Sequence, residues 1–296
     1  MELAVHLPLM EFGDEGQSLG RLMRAVDAAR DCSFAAVSAN DHFLFQTPWL
    51  DGLTALAAVV ERSGSMELAT TISLVSLRGP VQLAKALAAL DVLSEGRVIA
   101  GVGPGSSERD YEAVGVPFEE RWKRFDEATA TLRTLLGGDS LEPAPRRPGG
   151  IPLWIGSWGS EAGLRRVARL GEGWLASAYN TTPEAFAAAR RRLAELLPAV
   201  GKDPNRFPSA IATMFFYVTE ERATSERIIR EVLSPMLNHP EDELRERLLV
   251  GPAEECAQKL AAYRAAGANR IFLWPVEDEL RQLTSFQERV APLVRS

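Results

Sequence analysis

The stretch Arg97-Val-Ile-Ala-Gly-Val-Gly-Pro-Gly-Ser-Ser-Glu108 decides how the rest of the chain is read. An apolar strand, Arg97–Val102, opens into a loop whose alternate residues are Gly101, Gly103 and Gly105, and an acidic helical segment follows. Glycine lets a backbone come close to a ligand, and successive N–H groups in such a loop can cradle an anion such as phosphate. The spacing matches neither a dinucleotide fingerprint nor a P-loop, so neither mechanism follows from it. A tight turn with no ligand uses some of the same residues. The repeat in which this strand sits carries the larger message.

Working outward, short β-rich runs alternate with amphipathic helices. Candidate strands are Leu3–Leu7, Phe34–Ser38, Glu67–Leu74, Arg97–Val102, Pro152–Gly156, Gly173–Ala176, Ala210–Val218 and Arg270–Trp274. Phe34-Ala-Ala-Val37 and Val98-Ile-Ala100 are continuous apolar runs, as strands buried on both faces are. Between them, Leu19, Leu22, Met23, Val26 and Ala29 share one helical face, as do Leu53, Leu56, Ala57 and Val60. Glycine closes several helices before the next strand, as in Ser94-Glu-Gly96 and Ala266-Gly267. Repeated over the 296 residues, this pattern predicts a single-domain α/β chain, a (β/α)8 TIM barrel. An open doubly wound sheet needs fewer strands. Two segments are longer than the repeat requires: a Pro-, Gly- and Arg-rich loop over Gly137–Gly150, and Thr219–Val250, read as a helical insertion over the barrel mouth before the last helix–strand unit.

A net charge of −7 argues against a nucleic-acid partner. No apolar run has the length of a membrane span, and the N-terminus does not read as a secretory signal, so a cytoplasmic protein is expected. Cys32 and Cys256 lie in helical sequence and read as free thiols.

In such a barrel the chemistry sits at the C-terminal ends of the strands. There the second strand delivers Asn40-Asp41-His42-Phe43, the third Ser73 to Arg78, and the fourth the Gly103–Glu108 loop. The fifth delivers Gly156-Ser-Trp-Gly-Ser160, the sixth Tyr179 and Asn180, and the eighth Trp274. His42 reads as a proton donor, proton acceptor or cofactor contact, or else as a histidine tied to Asp41 in a packed loop. His6 reads as barrel-lining packing and His239 as a surface residue. Two donor-rich loops, after the fourth and fifth strands, can grip one phosphate. After the seventh and eighth strands, where barrels commonly hold phosphate, Thr219-Glu-Glu-Arg and Pro275-Val-Glu-Asp are acidic and would repel it. Lys85, Lys123, Lys202 and Lys259 all lie within or beside helices, so no Schiff-base lysine stands at a strand end; no metal-ligand cluster and no Gly-x-Ser-x-Gly elbow is present. What remains is a phosphorylated organic cofactor that carries the reaction.

The chain resembles the bacterial luciferase-like superfamily of flavin- and deazaflavin-dependent oxidoreductases. The ordered motifs are Asn40-Asp-His-Phe43, Ser76-Leu-Arg-Gly-Pro-Val-Gln-Leu-Ala-Lys85, Leu90-Asp-Val-Leu-Ser-Glu-Gly-Arg97 with Gly101-Val-Gly-Pro-Gly105, and Gly115-Val-Pro-Phe-Glu-Glu-Arg121. Pro152-Leu-Trp-Ile-Gly-Ser157, Gly171-Glu-Gly-Trp174 and Val250-Gly-Pro-Ala-Glu-Glu255 complete the set. The resemblance implies coenzyme F420 or FMN lying over the strand ends, with its phosphate held by Gly105, Ser106, Ser107, Gly156, Ser157 and Trp158; Asn40 and Gly103 are further cofactor contacts. It implies a non-proline cis peptide behind the ring at Thr71–Ile72, with Ser73 as the alternative position. His42 corresponds to a histidine beside the ring in deazaflavin-using relatives, and Glu108 to an acidic residue some of them use for proton transfer. Phe43, Tyr179 and Trp274 are expected to line the substrate pocket, and the loops Phe12–Gln17 and Phe43–Trp49 with the Thr219–Val250 insertion to set specificity. With F420 the reaction is hydride transfer to or from a small organic substrate. With FMN it is oxygen insertion by a monooxygenase, fed by a separate flavin reductase as F420 would be by its own reducing enzyme. A flavin-binding protein without turnover and a phosphosugar-processing barrel are the competing readings. Relatives often form homodimers through helices that here carry Leu53–Val60 and Leu83–Leu90.

Overall fold

The computed structural model describes residues 1–12, 16–137 and 141–295, so parts of the expected loops Phe12–Gln17 and Gly137–Gly150 lie outside the described residues. Ten strands form one parallel sheet: β1 (Glu2–His6), β2 (Ala36–Ala39), β3 (Glu67–Thr70), β4 (Ser73–Leu74), β5 (Val98–Gly103), β6 (Leu153–Gly156), β7 (Gly173–Ser177), β8 (Ser209–Val218), β9 (Leu249–Gly251) and β10 (Arg270–Pro275). Neighbours run β10-β1-β2-β3-β5-β6-β7-β8, and β8 pairs back onto β10, closing an eight-stranded (β/α)8 barrel. β4 extends the third strand position and pairs with β5, while β9 adds to the far end of β8 beyond Phe216.

The inward faces follow the two-residue period of the strands. Ala4, Ala36, Ala69, Ile99, Trp154, Leu175, Ala210, Ala212 and Phe272 form one interior cluster to which every barrel strand contributes. The alanines make room for Trp154 and Phe272, so the tube is filled rather than hollow. Outside, Leu22, Val26 and Ala29 of the helix Leu19–Asp31, and Leu83, Leu87 and Leu90 of the helix Pro80–Leu93, pack against the sheet. At the N-terminal end of the tube, Arg270 is buried and pairs with Glu67 (2.6 Å) and Glu2 (2.5 Å) beside the Trp154 and Phe272 rings.

Each expected strand is present to within a residue or two, except that Glu67–Leu74 is two pieces. The break between β3 and β4 falls at Thr71–Ile72, whose peptide bond is cis. The segment Thr219–Val250 is helical over Arg222–Arg227, Ile228–Leu233 (a π-helical stretch), Ser234–Leu237 and Glu241–Arg247, and then forms β9, a strand the sequence pattern did not reveal. It reaches the end of β7, where Arg247 Nη1 donates to Tyr179 O at 2.7 Å. Among the described residues no helix is long and apolar enough to cross a membrane.

Candidate active site

The site is built on the break in the third strand. Asp41, just past β2, accepts two hydrogen bonds from Arg78 (2.7 Å each) and one from Leu74 N (3.1 Å), while Asp41 N donates to Ile72 O (3.1 Å). Arg78 also pairs with Asp51, which caps the helix Gly52–Ala58 through Thr54 N. Burial opposes the charge of Arg78, but these carboxylates outweigh it and hold the guanidinium firmly protonated. One ion-pair cluster, buried at Asp41 and open to solvent at Asp51, thus ties the end of β2 to Thr71–Ile72.

Two glycines explain how the kink is accommodated. A Cβ on Gly101 would lie 2.1 Å from Thr70 O, and one on Gly103 would lie 2.9 Å from Ile72 Cδ1. Both face into the barrel, where the chain before and after the cis bond presses against β5. On the neighbouring strand β6, Gly156 also faces Ile72, 3.2 Å from its Cγ2 to the position of a Cβ. The half-buried Ile72 side chain therefore stands in the mouth between glycines, a small apolar platform. The alternating glycines of the opening stretch serve this packing first; only Gly105, at φ +77°, belongs to the exposed turn.

His42 does not bond to Asp41. Its Nδ1 donates to Asp110 Oδ2 at 2.8 Å, and Asp110 Oδ1 accepts from Phe43 N and Leu44 N at 2.9 Å each. Asp110 is buried in the first turn of the helix Glu108–Ala113, whose N-cap Ser107 accepts from Asp110 N at 3.2 Å. Burial raises the Asp110 carboxyl, but the bonds from His42, Leu44 and Phe43 prevail and hold it below the usual carboxylate range. His42 Nε2 has no hydrogen-bond partner among the described residues.

An aromatic wall continues from His42. Its ring meets Phe45 and Trp49 at 4.7 Å each, and Trp49 stands edge-on to Trp274 at 5.6 Å. Trp274 lies stacked between His6 (3.6 Å) and Phe215 (4.7 Å). His6 is buried at the end of β1, its Nδ1 2.7 Å from Leu7 O and its Nε2 3.1 Å from Asn40 Oδ1. Burial drives its pKa down to about 3, so the ring is neutral and packs as expected, while also fixing Asn40.

The remaining expected residues divide by exposure. Phe43 lies under Arg78, 5.3 Å from guanidinium carbon to ring, and Ser73 is buried at the start of β4. Ser106, Glu108 and Trp158 are exposed, Trp158 at 61%, and Glu108 makes no bond to His42 among the described residues. Ser157 Oγ accepts from Gly159 N at 3.3 Å, and Ser157 O accepts from Trp174 Nε1 at 2.9 Å. Tyr179 sits across the mouth against His239, which is half-buried rather than on the surface. Among the described residues no cluster of His, Cys, Asp or Glu could hold a metal ion. Sequence reasoning missed Asp110. Its only local signal was the Ser107-x-x-Asp110 capping spacing, which says nothing of a partner on another strand end.

Comparison with known proteins places this geometry. The profile of the luciferase-like monooxygenase family matches residues 4–239. An uncharacterized protein of Mycobacterium tuberculosis is 32% identical over 150 residues, which is 46% of this chain and 51% of that one, so the match spans about half of that relative's length. An F420-dependent glucose-6-phosphate dehydrogenase of Amycolatopsis mediterranei is 24% identical over 312 residues, covering 90% of this chain and 92% of that one. An F420-dependent secondary alcohol dehydrogenase, solved with an F420-acetone adduct, superposes with a TM-score of 0.85 at 18% identity, over 100% of this chain and 99% of that one. Barrel, ordered motifs and profile agree, and the chain belongs to the luciferase-like monooxygenase family.

Proposed function

We propose that the protein is an oxidoreductase that binds coenzyme F420 at the barrel mouth and transfers a hydride to or from a small organic substrate. The carrying observation is His42, oriented by buried Asp110 with Nε2 left without a protein partner. An imidazole held this way can take or give a proton at a substrate oxygen. The residues fit a flat tricyclic group: Ile72 stands bare between Gly103 and Gly156, an apolar surface on which a planar ring can rest. The loops Gly105–Ser107 and Gly156–Trp158 would hold its phosphate through backbone N–H and hydroxyl groups. When bound, a deazaflavin supplies the hydride acceptor or donor; with FMN, the same site supplies oxygen chemistry. Thr71 and Asn40 would border the ring, with Phe43, Trp274 and Tyr179 around the substrate. FMN is the second reading, because a type II Baeyer-Villiger monooxygenase of the same fold was solved in complex with FMN.

The deciding experiment is a side-by-side titration of cofactor-free protein with F420 and FMN, each oxidised and reduced, followed by ligand fluorescence. Micromolar binding of F420 alone supports the hydride-transfer reading. Preference for reduced FMN replaces it with an oxygen-using monooxygenase fed by a separate reductase. Binding of neither overturns the site.

A further inference from the structure

Two features of the barrel mouth bear on what binds beside His42. The first is the aromatic wall. Phe45 and Trp49 flank His42, and Trp49 leads without interruption to Trp274, His6 and Phe215. Trp49 Nε1 and Trp274 Nε1 are buried with no acceptor among the described residues. Buried indole N–H groups ordinarily find one.

The second feature is charge. Among the described residues, the segments leaving β1, β2, β5, β6, β7, β8 and β10 (residues 7–12 and 16–18, 40–51, 104–107, 157–160, 178–182, 219–221 and 276–280) contain no lysine or arginine. They contain Glu11, Asp41, Asp51, Glu220, Glu221, Glu277, Asp278 and Glu279. Arg78 is committed to Asp41 and Asp51. In the helical segment before β9, Arg222, Arg227, Arg230, Arg245 and Arg247 are each paired with a carboxylate. A phosphate dianion needs several unspent cations or a ring of N–H donors. Beside His42, Arg109 lies exposed in the first turn of the helix Glu108–Ala113 with no carboxylate partner among the described residues, a single cation next to the buried Asp110 anion.

We propose that the substrate is an uncharged, planar aromatic molecule bearing a carbonyl or hydroxyl oxygen, and that phosphorylated sugars are rejected. This rests on the reading of the mouth as the substrate side of a redox site. The ring stacks on the Phe45–Trp49 wall, and its oxygen lies within reach of His42. The selectivity is distinct from that named for the glucose-6-phosphate dehydrogenase relative.

The test is binding, measured separately from turnover. Protein without cofactor is titrated with 2-acetonaphthone, with 1-(2-naphthyl)ethanol and with glucose 6-phosphate, following tryptophan fluorescence and heat. The same titrations are run on Phe45→Ala and Phe45→Leu, after checking that both melt like the parent. Saturable binding of either naphthyl compound is expected. It should weaken by about tenfold in Phe45→Ala, as loss of an aromatic contact predicts, and less in Phe45→Leu, with no binding of the sugar phosphate. The proposal is overturned if glucose 6-phosphate binds as well as the naphthyl compounds, if neither of these binds, or if Phe45→Ala leaves their binding unchanged. Naphthyl binding by a protein that ignores F420 and FMN keeps the substrate class and removes the redox reading. Cofactor binding with both naphthyl compounds refused does the reverse.

Discussion

Asp110 lies 68 positions from His42 in sequence and 2.8 Å from it in space. Its carboxylate serves both the ring and two backbone N–H groups of the same loop, so it fixes where the imidazole stands. In Asp110→Asn the loop bonds can survive but the anion does not. On the proposed reading kcat falls by about 10²-fold, the usual worth of a positioned proton-transfer group, while KM and cofactor affinity hold. Steady-state kinetics beside a fluorescence titration separate these from mere unfolding. His6 makes a different demand. Its native pKa of about 3 lies below that of an ordinary histidine, so between about pH 6.5 and 3 the unfolded chain takes up a proton that the native ring refuses. Stability therefore falls as pH drops through that window, by about 1.4 kcal/mol per pH unit from this group. Asp110 acts lower: its contribution is whole above the ordinary carboxylate range and is lost only as pH falls through its depressed value. Urea unfolding from pH 7 to 4 should show the His6 decline, and His6→Gln should flatten it even if the variant is weaker at neutral pH. His42 was legible because a histidine just past a strand end is rare here; its partner was not, because a hydrogen bond between two loops leaves no periodic trace.

At the scale of elements, the barrel strands were legible for one reason: parallel strands buried on both faces read as unbroken apolar runs. The break at Thr71–Ile72 escaped that logic. Glu67-Leu-Ala-Thr-Thr-Ile-Ser-Leu74 has no glycine or proline to mark it, and only the family resemblance pointed there. β9 is three residues long, too short for any period to register. The glycines opposite the break can be told apart by substitution. In Gly101→Ala the new methyl meets the Thr70 carbonyl in the backbone, which cannot yield, and a loss of about 3 kcal/mol is expected from overpacking. In Gly103→Ala it meets the free end of Ile72, which can turn aside. That variant should melt close to the parent yet bind its cofactor more weakly, because the platform has moved. Thermal melts and cofactor titrations on the pair check both halves of the statement.

For the whole molecule, closure is the feature that matters. Arg270, Glu2 and Glu67 come from the starts of β10, β1 and β3, so one guanidinium ties strands across the base of the tube. Glu67 is 28% exposed and also pairs with Arg147, whereas Glu2 is 58% exposed. Glu67→Gln strips a buried arginine of its better-shielded partner and should cost about 3 kcal/mol in urea unfolding. Glu2→Gln, at a wet site, should cost less than about 1 kcal/mol. The same residues stopper the vessel. With Arg270, Trp154 and Phe272 packed into its foot, the tube offers no bore from base to rim. On the proposed reading, product leaves the His42 rim on the same side of the barrel from which the next substrate arrives.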